Sequence, residues 1–234
     1  MGLFSVVLLL LVAAAIVRSA IATRLDGFTI DEAYHIAAGV YYVRLGDFRI
    51  NPEHPPLIKL WIGSFIAPIG FRASALRSFS DKQDERTFAE QDVYLPNDPD
   101  GVQKRARIAM FALNGVLLTV LALAARRAFG PGVALGTIVF LAIDPTVAAH
   151  LPVVMTDLPV SLLCASTVLL TIPAFRTWKW SDLAACSAVL GLALAAKHLA
   201  PVFLIFVLLT GCVRVFLTPR PAQSRGVDSR DSQW

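Results

Sequence analysis

Residues 26–61 read DGFTIDEAYHIAAGVYYVRLGDFRINPEHPPLIKLW, a polar stretch in a chain that is otherwise apolar enough to lie in lipid. It combines an acidic pair, Asp31 and Glu32, with two histidines, a Gly-Asp turn and a Pro-Pro pair. Residues three and four positions apart lie on one side of a helix, so a helix here would place Asp31, Glu32 and His35 on one face. This pattern is typical of a functional site, and a solvated surface helix with a charged face is the alternative.

The composition indicates a membrane protein. The 234 residues are 56% hydrophobic and 16% charged, and their mean hydropathy is +0.64. Soluble domains contain about 25% charged residues, so the charged fraction is low. Long apolar runs account for it, and such runs cross a bilayer as α-helices. The three cysteines lie inside apolar runs and imply no disulfide framework. The net charge of +4 is small, and we expect no nucleic-acid partner.

Apolar runs predict about six transmembrane helices. The first run, residues 3–17, is short for a span, but it lacks the preceding basic residues of a signal peptide, which is the alternative. In residues 183–217 we expect two short spans that meet at Lys197 to Pro201, because an unpaired lysine in the middle of one long tilted helix would be costly. The other predicted spans are residues 108–125, 133–149 and 158–174.

A long polar region, residues 18–102, separates the first span from the others. We expect a helix over residues 31–44 whose apolar stripe lies on the membrane surface. The apolar segment 57–71 is interrupted by proline and glycine, so we expect it to lie in the interface; if it spans, every later segment changes sides. Residues 81–101 are rich in turn formers near their end and predict a loop.

Basic residues predict the orientation. After six crossings, three basic clusters fall on one side, which the positive-inside rule makes the cytoplasm; they are Arg126-Arg127, Arg176/Lys179 and Arg214/Arg220/Arg225. The long loop, the corner at Asp157 and the turn at Lys197-His198 then share the outer face. The expected fold is all-α: a polytopic membrane protein with a long external first loop carrying short interfacial helices. Residues 1–217 would form one membrane domain, and residues 218–234 a disordered cytoplasmic tail.

Several stretches resemble one family of membrane enzymes. IDEAYH at residues 30–35, GD at 46–47 and EHPPLIK at 53–59 are similar to the first external loop of the protein O-mannosyltransferase and polyprenyl-phosphate-sugar glycosyltransferase family, which has the C-type membrane glycosyltransferase fold. Later stretches agree in the family's order: RIAM at 107–110, ARRAFG at 125–130, DP at 144–145 with His150, TDLP at 156–159 and AKH at 196–198.

The resemblance implies an inverting glycosyltransferase. It would take a sugar from a polyprenyl-phosphate donor and pass it to a protein, lipid or glycan acceptor on the outer face of the plasma or inner membrane. The acidic motif Asp31-Glu32 would supply the general base, because an acceptor hydroxyl is a poor nucleophile. Cationic groups would stabilise the departing phosphate. The candidate substrate-binding residues are His54, Lys59, Arg107, Asp157, Lys197 and His198.

Each assignment has a structural alternative. Acids favour helix N-termini, so Asp31, Glu32 and Asp157 would serve as caps. Lys59 would extend to lipid headgroups, and Arg107 would anchor a helix at the interface. A divalent cation is the alternative use of the acidic cluster, with Asp31, His35, His150 and Asp157 as ligands if the loops meet; otherwise no cofactor is expected.

The chain length gives a second class of function. The resemblance implies a chain about twice as long, so we expect these 234 residues to be an N-terminal half or remnant that is inactive alone, with a partner subunit or a missing C-terminal half. The alternative function is a non-catalytic membrane transport or scaffold protein that keeps the fold.

Overall fold

The computed structural model describes residues 2–217, which form helices and no strand. The all-α expectation is therefore confirmed for these residues; the predicted tail lies outside them. Their helices are α1 (Leu3–Ala22), α2 (Glu32–Leu45), α3 (Leu57–Ile66), α4 (Lys82–Tyr94), α5 (Pro99–Phe129), α6 (Pro131–Ile143), α7 (Pro145–His150), α8 (Asp157–Thr177), α9 (Trp180–Ala196) and α10 (Pro201–Leu217), and a 3₁₀ turn (Ala67–Ile69) follows α3.

Three helices, α1, α5 and α8, are long and apolar enough to cross a membrane. Four others, α3, α6, α9 and α10, are apolar but have only 10–17 residues. A perpendicular crossing of the hydrocarbon core needs about 20 residues. These helices are consistent with a membrane protein, whereas the six crossings and the outer position of the long loop remain predictions.

Helix α1 is longer than its apolar run, because Arg18, the residue that ends the run, forms hydrogen bonds within the protein. Arg18 lies within α1, and its Nη1 donates to the carbonyls of Ala142, at 3.0 Å, and Asp144, at 3.4 Å. These carbonyls end α6, where the helix dipole favours a cation. The predicted end of the span at residue 17 was therefore too early.

The predicted loop over residues 81–101 is mostly helical, so that prediction was wrong. The Asp81 side chain accepts a hydrogen bond from the Asp84 amide at 2.8 Å and caps α4. Pro99 lies in the first turn of α5, where its missing amide hydrogen costs nothing. Only residues 95–98 separate the two helices, and the connecting region between α1 and α5 is residues 23–98.

Helix α2 is buried, which contradicts the expected stripe on the membrane surface. Ile36 and Val40 are completely buried, and α2 packs against α3 and α4. Gly39 of α2 meets Gly63 of α3 so closely that an added Cβ at Gly63 would lie 2.0 Å from the Gly39 carbonyl oxygen. The absence of a side chain at both positions lets the two backbones touch.

Ion pairs mark the two ends of the helix bundle. Arg127, at the end of α5, pairs with Asp182 at the start of α9. Lys197, just after α9, pairs with Asp157 at the start of α8. Helix α9 therefore runs antiparallel to α5 and α8. The chain breaks between α9 and α10 at Lys197, as predicted, and the turn at Asp144 divides the predicted span 133–149 into α6 and α7.

Candidate functional site

Asp31 presents an exposed carboxylate at the start of α2. It occupies the N-cap position, but its side chain makes no capping hydrogen bond and is 51% exposed. Arg86 of α4 pairs with it at 2.7 Å and also donates to the Ile30 carbonyl at 2.5 Å. The long side chain of Arg86 thereby fixes the carboxylate while leaving it accessible.

Glu32, the next residue, is completely buried. One carboxylate oxygen accepts from the Thr29 amide at 2.7 Å, and the other accepts from the Val154 amide at 3.1 Å. The second bond ties the segment between α7 and α8 to α2. The two adjacent acids therefore lie in different environments, and the exposed helical face expected for Asp31, Glu32 and His35 is not formed.

His35 is buried beneath Asp31 and held by a polar contact. Its Nδ1 lies 3.1 Å from the Asn51 side-chain nitrogen, and since an amide nitrogen only donates, this ring nitrogen accepts. The rings of His35 and His54 are 5.6 Å apart. Burial, with smaller contributions from His54 and Lys59, lowers the pKa of His35 to about 4, and Asp31 and Asp157 act in the opposite direction. His35 is therefore neutral at physiological pH.

Lys59 is a completely buried lysine that binds the turn before α3. Its ammonium group donates to the Tyr42 hydroxyl at 2.8 Å, the His54 carbonyl at 2.6 Å and the Asn51 carbonyl. Burial lowers the pKa of Lys59 to about 8. Asn51 has a left-handed backbone with φ of 55°, a conformation that asparagine tolerates better than most residues. The lysine thus uses its donors to shape the segment that carries His54.

Asp157 and Lys197 bring the later helices to the same place. Their ion pair joins the start of α8 to the end of α9. Burial lowers the pKa of the half-buried His54. The positive charges of Lys197 and, to a smaller extent, Lys59 lower this pKa further. Asp31, His35, His54, Asp157 and Lys197 are therefore close enough to interact electrostatically, and we refer to these five residues as the acid–base cluster.

Three of the predicted site residues make their contacts elsewhere. Arg107 donates to the carbonyls of Thr23 and Gly27, both at 3.0 Å, and joins the end of α1 to α5. The His150 Nδ1 lies 2.7 Å from the Thr146 carbonyl, and His198 is exposed. Within residues 2–217, no hydrogen bond or ion pair joins these three to the acid–base cluster.

A metal site is not assembled in the described part of the chain. No group of three or more His, Cys, Asp or Glu side chains there has the arrangement that holds an ion. Asp31 and Asp157 are each paired with a basic residue, and His150 is bound within its own helix. The alternative of a divalent ion held by Asp31, His35, His150 and Asp157 therefore gains no support.

Sequence reasoning missed the contribution of α4. Besides Arg86, this helix provides Glu85, which accepts hydrogen bonds from the Tyr34 hydroxyl at 2.5 Å and the Asn51 amide at 2.6 Å. The sequence did contain a pattern that indicates the start of α4, because Asp81 and Asp84 have the spacing typical of a helix N-terminus. We predicted a loop instead, because prolines and an asparagine follow near the end of this stretch.

Comparison with known proteins agrees with this architecture. A family model described as dolichyl-phosphate-mannose-protein mannosyltransferase matches residues 100–223, more than half of the chain. This match defines a membrane glycosyltransferase of the mannosyltransferase type, and the family uses a lipid-linked sugar donor and an acceptor. The chain belongs to the dolichyl-phosphate-mannose-protein mannosyltransferase family. Neither a curated protein nor a solved structure matched it.

The matched region divides the acid–base cluster. Asp157 and Lys197 lie within residues 100–223, whereas Asp31, His35 and His54 precede them. The family match therefore covers α5 to α10, and the structure adds the polar segment that packs on the end of this bundle.

Proposed function

We propose that this protein transfers a sugar from a polyprenyl-phosphate donor to a hydroxyl of a protein, lipid or glycan acceptor, with inversion at the anomeric carbon. The observation that carries the proposal is the acid–base cluster itself. The exposed Asp31 carboxylate acts on His35, the Asp157–Lys197 ion pair acts on His54, and the two histidine rings lie 5.6 Å apart where α9 ends.

Asp31 is the proposed general base. Its carboxylate accepts the proton of the acceptor hydroxyl while the hydroxyl oxygen forms a bond to the anomeric carbon. The bond between that carbon and the phosphate oxygen breaks, and its electron pair leaves with polyprenyl phosphate. The phosphate is already a stable anion, so no strong general acid is required. One base and one displacement give inversion.

Lys197 is the proposed partner of the donor phosphate, because a cation near the leaving oxygen stabilises the charge that develops there. Its present partner, Asp157, keeps it in place and is itself 57% exposed at the side chain. The half-buried His54 lies beside them and would contact the sugar or the phosphate. Arg107 and His198 stay predicted substrate-binding residues without a contact to this cluster.

Glu32 and Lys59 are better placed to position the site than to react. Both are completely buried and bound to backbone groups of the segments that form the cluster. Glu32 holds the segment before Asp157, and Lys59 holds the turn that carries His54. We propose that both act through these segments.

We also propose that the cluster faces the outer side of the plasma or inner membrane. The supporting observation is that Arg127 and Asp182 lie at the opposite end of the bundle, near Arg126, Arg176 and Lys179. Basic residues accumulate on the cytoplasmic side of membrane proteins.

The donor class is tested with radiolabelled polyprenyl-phosphate mannose. Membranes from cells with the gene, without it, and with the variants Lys197→Gln or Lys179→Gln are compared for label transferred to acceptors. We expect transfer to depend on the gene and the KM for the donor to rise roughly tenfold in Lys197→Gln, the scale for losing a charged hydrogen bond. Lys179, exposed at the other end of the bundle, serves as the control. Equal labelling with and without the gene would contradict the proposal.

A further inference from the structure

A cavity of about 640 Å³ lies between the segment that follows α3 and the first turns of α5. Three basic residues line it, Arg72, Lys104 and Arg105, all of them exposed. Asp98 is the one acidic residue among the described residues of its wall. No member of the acid–base cluster contributes to this cavity.

The three basic side chains have no counterion in residues 2–217, and they form no side-chain hydrogen bond there either. Elsewhere in the same region basic residues are compensated: Arg77 pairs with Asp84 at 2.6 Å, and Arg86 pairs with Asp31. The N-terminus of α5 adds its own partial positive charge to the cavity. The cavity therefore has an uncompensated positive potential and suits an anion.

Hydrogen bonds hold the backbone of residues 71 and 72 in the wall of the cavity. The Asn97 side chain accepts from the Arg72 amide at 2.8 Å and donates to the Arg72 carbonyl at 2.9 Å. On the preceding residue, the Phe71 carbonyl accepts from Arg44 at 2.5 Å. Such two-sided anchoring reduces the ordering cost of binding.

The cavity lies where the polar first turns of α5 give way to its apolar run. Ile66, Val102 and Ile108 form part of its wall, and Ile108 opens the apolar run of α5, one of the helices long enough to cross the membrane. Ile108 and the nearby Phe65 are also exposed, as expected for side chains that contact acyl chains. Lys and Arg side chains near a membrane surface attract the phosphate of an anionic headgroup, by about 1 kcal/mol for each basic residue.

We propose that this cavity binds the phosphate headgroup of an anionic membrane lipid, with the acyl chains lying along the exposed apolar faces of α3 and α5. The lipid is a structural ligand beside the polar segment and is separate from the sugar donor. Charge complementarity and the amphipathic wall favour a lipid over a free phosphate, which would leave the apolar wall uncovered.

Calorimetric titration of the purified 234-residue chain in neutral detergent tests this proposal. The probes are short-chain phosphatidylglycerol, the matching phosphatidylcholine, and glycerol phosphate as a headgroup without chains. We expect phosphatidylglycerol to bind selectively, and the variant Arg72→Gln/Lys104→Gln to weaken it roughly twentyfold at low salt, since each basic residue contributes about fivefold. Arg176→Gln/Lys179→Gln removes the same charges at the other end of the bundle and should change the affinity less than about twofold.

Three results would overturn the proposal: equal binding of the two lipids, an affinity unchanged by the double substitution, or glycerol phosphate binding as tightly as phosphatidylglycerol. The last would show that the ligand is a free phosphate. Circular dichroism of each variant checks the fold. If Arg72→Gln/Lys104→Gln does not fold, Arg105→Glu, on an exposed position of α5, replaces it, and unchanged affinity in that variant would equally contradict the proposal.

Discussion

Asp31 and Glu32 are adjacent in sequence and have opposite surroundings. Glu32 is buried because two backbone amides, from Thr29 and Val154, satisfy its charge. Charge-assisted hydrogen bonds of this kind are among the stronger ones in proteins. The Asp31 carboxylate stays half exposed and pairs with Arg86. In the proposed mechanism, Glu32 organises the site and Asp31 remains available to an acceptor.

The buried His35 predicts a loss of stability in acid. Its pKa is about 4 in the folded protein, because of burial, against an ordinary value of 6.5. The unfolded chain therefore binds a proton at a higher pH than the folded one, so His35 stabilises the fold above about pH 6.5 and this stability is lost as the pH falls toward 4. The expected loss is up to roughly 3 kcal/mol.

Thermal unfolding in detergent between about pH 4 and 7 measures this loss. His35→Gln should flatten the dependence, because the replacement does not titrate. His198→Gln, at an exposed histidine, is the matched control and should keep the wild-type profile. Identical profiles for His35→Gln and the wild type would show that His35 does not carry the effect.

Residue patterns predicted some of these surroundings and not others. The sequence predicted that Asp157 and Lys197 lie at ends of spans on the same side, and the structure shows that they form an ion pair. The burial of Lys59 was not predictable, since two of its three partners are backbone carbonyls that only the folded turn brings together. The difference between Asp31 and Glu32 depends on Val154, which is 122 residues away from Glu32.

The contact between α2 and α3 predicts that Gly63→Ala destabilises the protein. Alanine is favoured over glycine in a helix by about 1 kcal/mol, so this substitution would ordinarily stabilise. At Gly63 the new methyl group would instead lie 2.0 Å from the Gly39 carbonyl oxygen and force the helices apart. We expect a lower melting temperature, together with reduced transfer activity, because α3 carries Lys59.

Gly191→Ala in α9 is the control for this prediction, because an added Cβ there meets nothing within 4 Å. Its melting temperature should equal or exceed that of the wild type. If Gly63→Ala melts at the same temperature as Gly191→Ala, the close contact between α2 and α3 is not present in the protein.

Helix α4 shows where element prediction failed. Its sequence is strongly polar, so periodicity gave little signal, and the turn formers at its end favoured a loop. The helix is stabilised by contacts that are distant in sequence: Asp92 accepts from the Tyr41 hydroxyl and from the Ser74 hydroxyl, the latter at 2.5 Å. The apolar helices were predictable, because each appears in the sequence as a long run of apolar residues; they are α5, α8, α9 and α10.

At the scale of the molecule, the two ion-paired ends of the bundle predict its orientation. Single cysteines at Leu95 and His198, both exposed, should react with a reagent that cannot cross the membrane. A cysteine at Lys179, at the other end, should react only after the membrane is opened. Cys164, Cys186 and Cys212 are first replaced by alanine. Labelling of position 179 in sealed cells, with position 95 protected, would reverse the proposed orientation.

Turnover of the Asp31→Asn variant is the most direct test of the proposed site. Asparagine keeps the size of the side chain and removes its ability to accept a proton, and losing a general base costs roughly 10² to 10⁴ in rate. Asp26→Asn, at an exposed acid five residues earlier, is the control. In membranes supplied with radiolabelled polyprenyl-phosphate mannose, we expect kcat to fall on that scale in Asp31→Asn alone, with unchanged amounts of folded protein. A kcat equal to that of the wild type would contradict the role of Asp31 as the base.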